Sequence, residues 1–446
     1  MSEAILKVVQ LILALSVLIL IHEAGHFTFA KLFKIRVDKF FLFFDLGGKA
    51  LLSTKHGWFS RLFPGLKSRE TEYGIGWLPL GGYCKIAGMI DESMDREAMK
   101  QTPKPWEFRT KKAWQRLLVM AGGVLYNFIF AILLYIASLQ IWGTRYINNS
   151  ETRIYASELA QEMGFRTGDR ILKLDEFEPT DFTSLQADIA RRNAHIATVE
   201  RDGDTVQVYI DHSYLPQIIS TPGMFDLAVP YVVDTIPPVS LNYRNGYQKG
   251  DRIIGIDSVR IDYLQDFRAF FADKPNASMT ALVVRGADTL SLPMLTDSTG
   301  KAMIYAPIPG YNKKTYAFFE SIPAGLELTV STVGNYLRDL KMVFSPSTGA
   351  YKSVGSFITI ADAMPESWDW ELFVRLLGLL SIMLGVMNLL PIPALDGGHI
   401  VFVIYEMITG RKPSDKFMEV AQMIGMVLIL ALMLFACGND IGRLIR

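Results

Sequence analysis

The sequence predicts a polytopic α-helical membrane protein of about four transmembrane helices. A membrane-associated β-hairpin loop follows the first helix, and an extracytoplasmic α+β insert built from two repeats follows the second. Three observations lead there. Half of the 446 residues are hydrophobic, and they gather into four stretches long enough for a span of about 20 residues. Lys and Arg concentrate in two of the connecting segments. A twelve-residue pattern between the second and third stretches recurs 82 residues further on, Gly164 to Asp175 matching Gly246 to Asp257.

Residues 1–30 form the first expected span, whose apolar run goes from Ala4 to Ile21. A cleaved signal peptide is the other reading of such a run. No small-x-small site follows it, however, and the residues just after it look catalytic. Residues 31–112 read as a cytoplasmic or membrane-associated loop rich in Lys and Arg, among them Lys31, Lys34, Arg36, Lys39, Arg109, Lys111 and Lys112. Its stretch from Glu72 to Lys85 alternates apolar residues with Gly74, Gly76, Gly81 and Gly82 and reads as the β-hairpin. The second span covers 113–142. The repeats occupy 143–225 and 226–312, and a connector takes 313–371. The third span, 372–408, contains a break, and the fourth covers 418–440. The 409–417 connection adds Arg411, Lys412 and Lys416. Positive charge collects on the cytoplasmic side, so both basic segments belong there, with both termini and the insert outside.

Other function classes are excluded by what is missing. Acidic and basic residues balance at 45 each, and no Lys/Arg tract interleaves with aromatics, so no nucleic-acid partner is expected. Cys84 and Cys437 lie far apart in no CxxC pattern, and read as ordinary buried or lipid-facing thiols. His56, His195 and His212 sit in polar segments and read as surface residues. A metal transporter would want ionisable groups spread through several spans, and the middle of the second span has none.

The chemistry concentrates in two motifs. His22, Glu23 and His26 spell HExxH at the end of the first span. Residues four apart share a helix face, so His22 and His26 can bind one Zn2+ while Glu23 serves as general base towards its water. A catalytic zinc wants a third protein ligand. The stretch Met387 to Phe402 offers Asp396, after Pro391 and Pro393 and before Gly397 and Gly398. Such a sequence cannot continue a regular helix, and broken backbone at membrane depth must be buried in protein or line a wet cavity. Asp396 is therefore favoured as the third ligand. His399 is the rival, otherwise a residue behind the ligands or a structural one.

The repeated glycine turn, Gly-Asp pair and apolar strand resemble the carboxylate-binding-loop region of PDZ domains, which take extended peptides as an added strand. HExxH at the end of the first span, with NLLPIPALDGG (Asn388 to Gly398) in the third, resembles the site-2 protease family of M50-type intramembrane zinc metalloproteases. Two PDZ domains between spans two and three are similar to the bacterial regulator-of-sigma-E group of that family. TEYGIGWLPLGGYCKIAG (Thr71 to Gly88) and WQRLLVMAGGVLYNFIFA (Trp114 to Ala131) fit as well. The resemblance implies His22, His26 and Asp396 as zinc ligands and Glu23 as the catalytic glutamate. It implies that Asn388 holds substrate backbone, and Asn127 is in place in the second span. A substrate helix must unwind before attack; the Glu72 to Lys85 loop, with Gly74, Gly76, Gly81 and Gly82, is the candidate edge that binds it as an added strand, the other reading being a glycine-rich connector. Asn388 and Asn127 would satisfy the freed peptide groups, or else serve helix packing. The resemblance also implies regulated intramembrane proteolysis of single-span proteins, such as anti-sigma factors or remnant signal peptides, in a bacterial cytoplasmic (inner) membrane. The PDZ pair would then face the periplasm, binding peptide C-termini or filtering substrates by the size of their exterior domains. A non-catalytic PDZ receptor with structural zinc is the alternative, against which Glu23 weighs. Ala121-Gly122-Gly123 departs from the family's usual Ala-Gly-Pro, and Phe44 to Arg69 is longer than the family's minimal pattern.

Overall fold

In hydrocarbon no water satisfies a backbone N–H or C=O, so long apolar runs must coil into helices. The computed structural model describes residues 3–45, 49–66, 70–89, 102–271, 273–307 and 310–445; parts of the 31–112 loop, residues 90–101 among them, lie outside the described residues. Helix α1 (Glu3–Leu32) leads into β1 (Val37–Phe44), β2 (Leu52–Ser53), β3 (Glu72–Ile75) and β4 (Leu78–Ile86), then α2 (Ala113–Ile141). Next come β5 (Thr144–Tyr146), β6 (Ile154–Ala156), β7 (Arg170–Leu174), α3 (Leu185–Arg192), β8 (Ile196–Arg201), β9 (Asp204–Tyr209) and β10 (Phe225–Leu227). The chain goes on through β11 (Arg252–Ile256), β12 (Val259–Arg260), α4 (Leu264–Phe271), β13 (Ser278–Arg285), β14 (Asp288–Leu295) and β15 (Asn312–Lys314). It ends in α5 (Phe318–Val343), α6 (Phe357–Asp362), α7 (Trp370–Leu389), α8 (Asp396–Thr409) and α9 (Asp415–Ile445).

Among the described residues, four helices are long and apolar enough to cross a membrane: Glu3–Leu32, Ala113–Ile141, Trp370–Leu389 and Lys416–Ile445. This architecture fits a polytopic helical membrane protein. The chain divides into two units, one of Met1–Gly143, Thr315–Leu340 and Val354–Arg446, the other of Thr144–Lys314 and Lys341–Ser353.

In the first unit α2 is the central helix, with α1, α7 and α8 packed on it. Ser381 of α7 donates its hydroxyl to the Asn127 carbonyl at 2.8 Å, and Arg116 of α2 pairs with Glu406 of α8. Helix α5, in the region expected to be a connector, lays Gly325 against Ile136 of α2. Asp440 near the end of α9 accepts from the Ser356 and Thr359 hydroxyls, both at 2.6 Å, and from their N–H groups at 2.7 and 3.3 Å, and so holds the start of α6.

The expected hairpin is not one. The sheet runs β2-β3-β1-β4, so β3 and β4 flank β1 instead of pairing with each other. The cause lies at the end of β1. Gly76 and Trp77 cross it, donating to the Leu42 and Phe44 carbonyls at 2.8 and 3.0 Å. A Cβ at Gly76 would sit 2.2 Å from the Phe44 oxygen, so only glycine passes there.

The second unit duplicates itself in structure as well as in sequence. Gly164 and Gly168 take φ of 96° and 97°, and Gly246 and Gly250 take 87° and 93°. Asp169 and Asp251 are both buried, and each is gripped by an arginine from a distant strand. Arg201 donates to Asp169 at 2.8 and 2.7 Å and to the Gly164 carbonyl at 2.9 Å. Arg285 donates to Asp251 at 2.7 and 2.8 Å and to the Gly246 carbonyl at 2.7 Å. Each repeat has its own apolar core, one around Phe165, Leu174 and Ile189, the other around Tyr231, Ile253 and Met294.

The Asp251 carboxyl lies below the ordinary carboxylate range because Arg285 hydrogen-bonds its ionised form. Its stabilisation is thus complete above about pH 4 and is lost as the pH falls through the lowered native value. Asp251→Asn is expected to lower the melting temperature by at least ~5 °C at neutral pH and to flatten the acid dependence of unfolding, read by calorimetry.

Candidate metal centre

Helices cross closely only where side chains are small. Gly25, inside the HEAGH motif of α1, faces Gly122 of α2. A Cβ at Gly25 would lie 2.1 Å from the Gly122 carbonyl oxygen, and one at Gly122 would lie 2.7 Å from that of Gly25. The two backbones therefore touch, and the imidazoles on the next turns of α1 lie against α2.

The third candidate arrives on a broken element. Helix α7 stops at Leu389, where the prolines at 391 and 393 remove donors, and α8 restarts at Asp396. Between them Ala394 holds a φ of 103°, a conformation that favours glycine and marks stored strain. Gly397 and Gly398 let α8 begin against the loop, since Cβ atoms there would lie 2.1 Å from the Leu390 oxygen and 2.6 Å from the Pro393 Cα. The break places the Asp396 carboxylate beside α1.

His22, His26 and Asp396 converge. Asp396 Oδ2 is 3.2 Å from His22 Nε2 and 3.3 Å from His26 Nε2, and the two Nε2 atoms are 3.3 Å apart. Ligands held about 2.05 Å from a tetrahedral zinc stand about 3.3 Å from one another, so the three atoms have the edge lengths of one face of such a site. Oδ2 is buried and makes no hydrogen bond among the described residues. Two imidazoles and one carboxylate, with a face left open, suit a catalytic zinc rather than a closed structural one. They form the one group of three or more candidate ligands among the described residues.

A cavity of about 570 Å³ opens on this cluster. Glu23, Asn388 and His399 are on its wall with the three candidate ligands, as are Lys39, Tyr83, Cys84 and Gln422. The Cys84 main chain faces the Glu23 carboxylate. Strand β4, an edge of its sheet, lines the cavity from Gly82 to Ile86.

Several predicted substrate residues sit elsewhere. Of the four loop glycines only Gly82 reaches the cavity. Gly74 and Gly81 are covered by the rings of Phe41 and Phe44, each 2.5 Å from where a Cβ would be, and Gly76 makes the crossing at the end of β1. Asn127 is off the cavity wall; it is fully buried, with Nδ2 3.1 Å from His22 Nδ1. His56 and His195 are exposed, and His212 is half-buried against the His195 ring. Sequence reasoning missed the Val119 carbonyl, 2.9 Å from His26 Nδ1, and a main-chain atom leaves no sequence signal. It also missed Gln422, a polar residue in an apolar span and hence a signal that was available.

Comparison with known proteins adds the family. The profile of peptidase family M50 matches residues 10–432. The chain is 29% identical to the regulator of sigma-E protease RseP of Escherichia coli, over 97% of this chain and 98% of that one. It is 27% identical to the protease RseP of Yersinia pestis and to a Vibrio cholerae protein named as a zinc metalloprotease, over 100% of each chain.

The seam between α1 and α2 can be tested. Gly25→Leu is expected to separate the helices and lower zinc retention at least ~100-fold, measured by metal analysis after chelator challenge. Gly438→Leu, in open space on α9, is expected to leave it unchanged.

Proposed function

The chain belongs to peptidase family M50 and is a zinc metalloprotease, and we propose that it hydrolyses peptide bonds within or near the transmembrane segments of single-span membrane proteins. One observation carries this reading: His22, His26 and Asp396 converge on the wall of a cavity that also holds Glu23, between helices apolar enough to span a membrane. His22, His26 and Asp396 would hold the metal. Zinc bound there supplies a Lewis acid that polarises a carbonyl and lowers the pKa of water towards neutrality.

The protein's own groups do the rest. Glu23 accepts a proton from the attacking water and passes it to the leaving amine. A transmembrane helix hides its carbonyls in internal hydrogen bonds, so the substrate must be unwound before attack. The β4 edge can take the unwound segment as an added strand, and Asn388, on the cavity wall at the end of α7, can pair with its freed peptide groups.

In a bacterial inner membrane, the basic segments at 31–112 and 409–417 support a cytoplasmic position for the site's end of α1 and an exterior one for residues 143–312. The two repeats act there as PDZ domains, binding peptide termini or excluding substrates with bulky exterior domains. Their matched glycine turns and Asp–Arg grips support that assignment. Anti-sigma factors and remnant signal peptides are the substrate classes that the family suggests.

Glu23→Gln is expected to keep bound zinc while kcat for a single-span reporter in reconstituted membranes falls ~10²–10⁴-fold. Equal cleavage by the two proteins would overturn the role given to Glu23.

A further inference from the structure

We infer that one stripe of α2, formed by Val119, Gly123 and Asn127, orients both zinc-ligand imidazoles, and that Asn127 is a positioning residue for His22. This rests on the ligand assignment proposed above. Residues four apart on a helix lie within about 40° of one another, so positions 119, 123 and 127 make one continuous face two turns long. That face lies against the HExxH turn of α1.

Each position on the stripe has a separate function. The Val119 carbonyl lies 2.9 Å from His26 Nδ1. A Cβ at Gly123 would be 2.5 Å from His22 Cε1 and 2.6 Å from His26 Nε2, so with the rings where this chain holds them glycine gives both their space. Asn127 Nδ2 lies 3.1 Å from His22 Nδ1, while its Oδ1 is buried with no hydrogen-bond partner among the described residues. The Asn127 main chain is fixed in turn by the Ser381 hydroxyl, at 2.8 Å.

The chemistry of the ligands decides what Asn127 must do. An imidazole that gives its Nε2 lone pair to a metal carries its proton on Nδ1, and that N–H needs an acceptor. His26 has one in Val119. His22 faces the cluster through Nε2 as well, at 3.2 Å from Asp396, so its Nδ1–H points at the Asn127 carboxamide. The oxygen and nitrogen of a carboxamide fill nearly equal volumes. Half a turn of the group brings the partnerless Oδ1 onto the His22 N–H, and the ring is then fixed in tautomer and orientation. Full burial away from the cavity wall speaks for this role over contact with substrate peptide.

The test is zinc affinity of the detergent-solubilised full chain, by competition with a chelator, for wild type, Asn127→Leu, Asn127→Asp and His22→Ala. Helix content is read in each to confirm folding. Asn127→Leu removes the acceptor at similar size and is expected to weaken zinc binding ~10–100-fold. Asn127→Asp keeps an acceptor and should stay within a few-fold of wild type. Loss of zinc by His22→Ala but not by Asn127→Leu would overturn the positioning role and leave the ligand assignment intact. Equal weakening by Leu and Asp would also overturn it, because acceptor chemistry would then be irrelevant. Zinc held as tightly by His22→Ala as by wild type would instead overturn the ligand assignment.

Discussion

The backbone contact between Gly25 of α1 and Gly122 of α2 is the constraint on which the rest of the site depends. Any side chain at either position would hold the helices apart, since a Cβ on Gly25 would come within 2.1 Å of a carbonyl oxygen. With the helices touching, His22 and His26 press on α2 and find a carbonyl and a carboxamide within reach of their outer nitrogens. Polar groups at membrane depth are tolerated when they satisfy one another. Here each imidazole finds a partner at its outer nitrogen and turns its inner nitrogen to Asp396.

The second requirement is a carboxylate delivered sideways. A continuous helix could carry Asp396 past the histidines, but its main chain would be closed off by its own hydrogen bonds. Pro391 and Pro393 open the chain, and short local bonds serve part of it, such as Leu395 N to Ile392 O at 2.9 Å and Gly398 N to Leu395 O at 3.1 Å. The strained Ala394 turn and the two glycines then set Asp396 at the start of α8. A helix N-terminus favours a negative charge there, which suits a carboxylate offered to a cation.

Much of this was legible in the sequence for physical reasons. HExxH works through helical periodicity alone, so His22, Glu23 and His26 could be read at sight, and proline and glycine announce a broken helix wherever they fall. What stayed hidden depends on long-range placement. Gly74, Gly76 and Gly81 looked like a hairpin beside the substrate, yet they serve the passage of the chain around β1 and the packing of Phe41 and Phe44. Asn127 looked like a group for substrate, because its spacing from Gly123 and Val119 has meaning only once α1 is known to lie against that face. The order of the sheet could not be read either, since Glu72 to Lys85 alternates in the same way whether its two strands pair with each other or with β1.

Zinc held between α1 and α8 by two imidazoles and a carboxylate would be seen by zinc K-edge X-ray absorption on the purified full chain. Two imidazole nitrogens and one or two oxygens at about 2.0–2.1 Å are expected, with no sulfur in the shell. A sulfur shell at about 2.3 Å, which would bring in Cys84 or Cys437, or a shell without imidazole scattering, would contradict that ligand set.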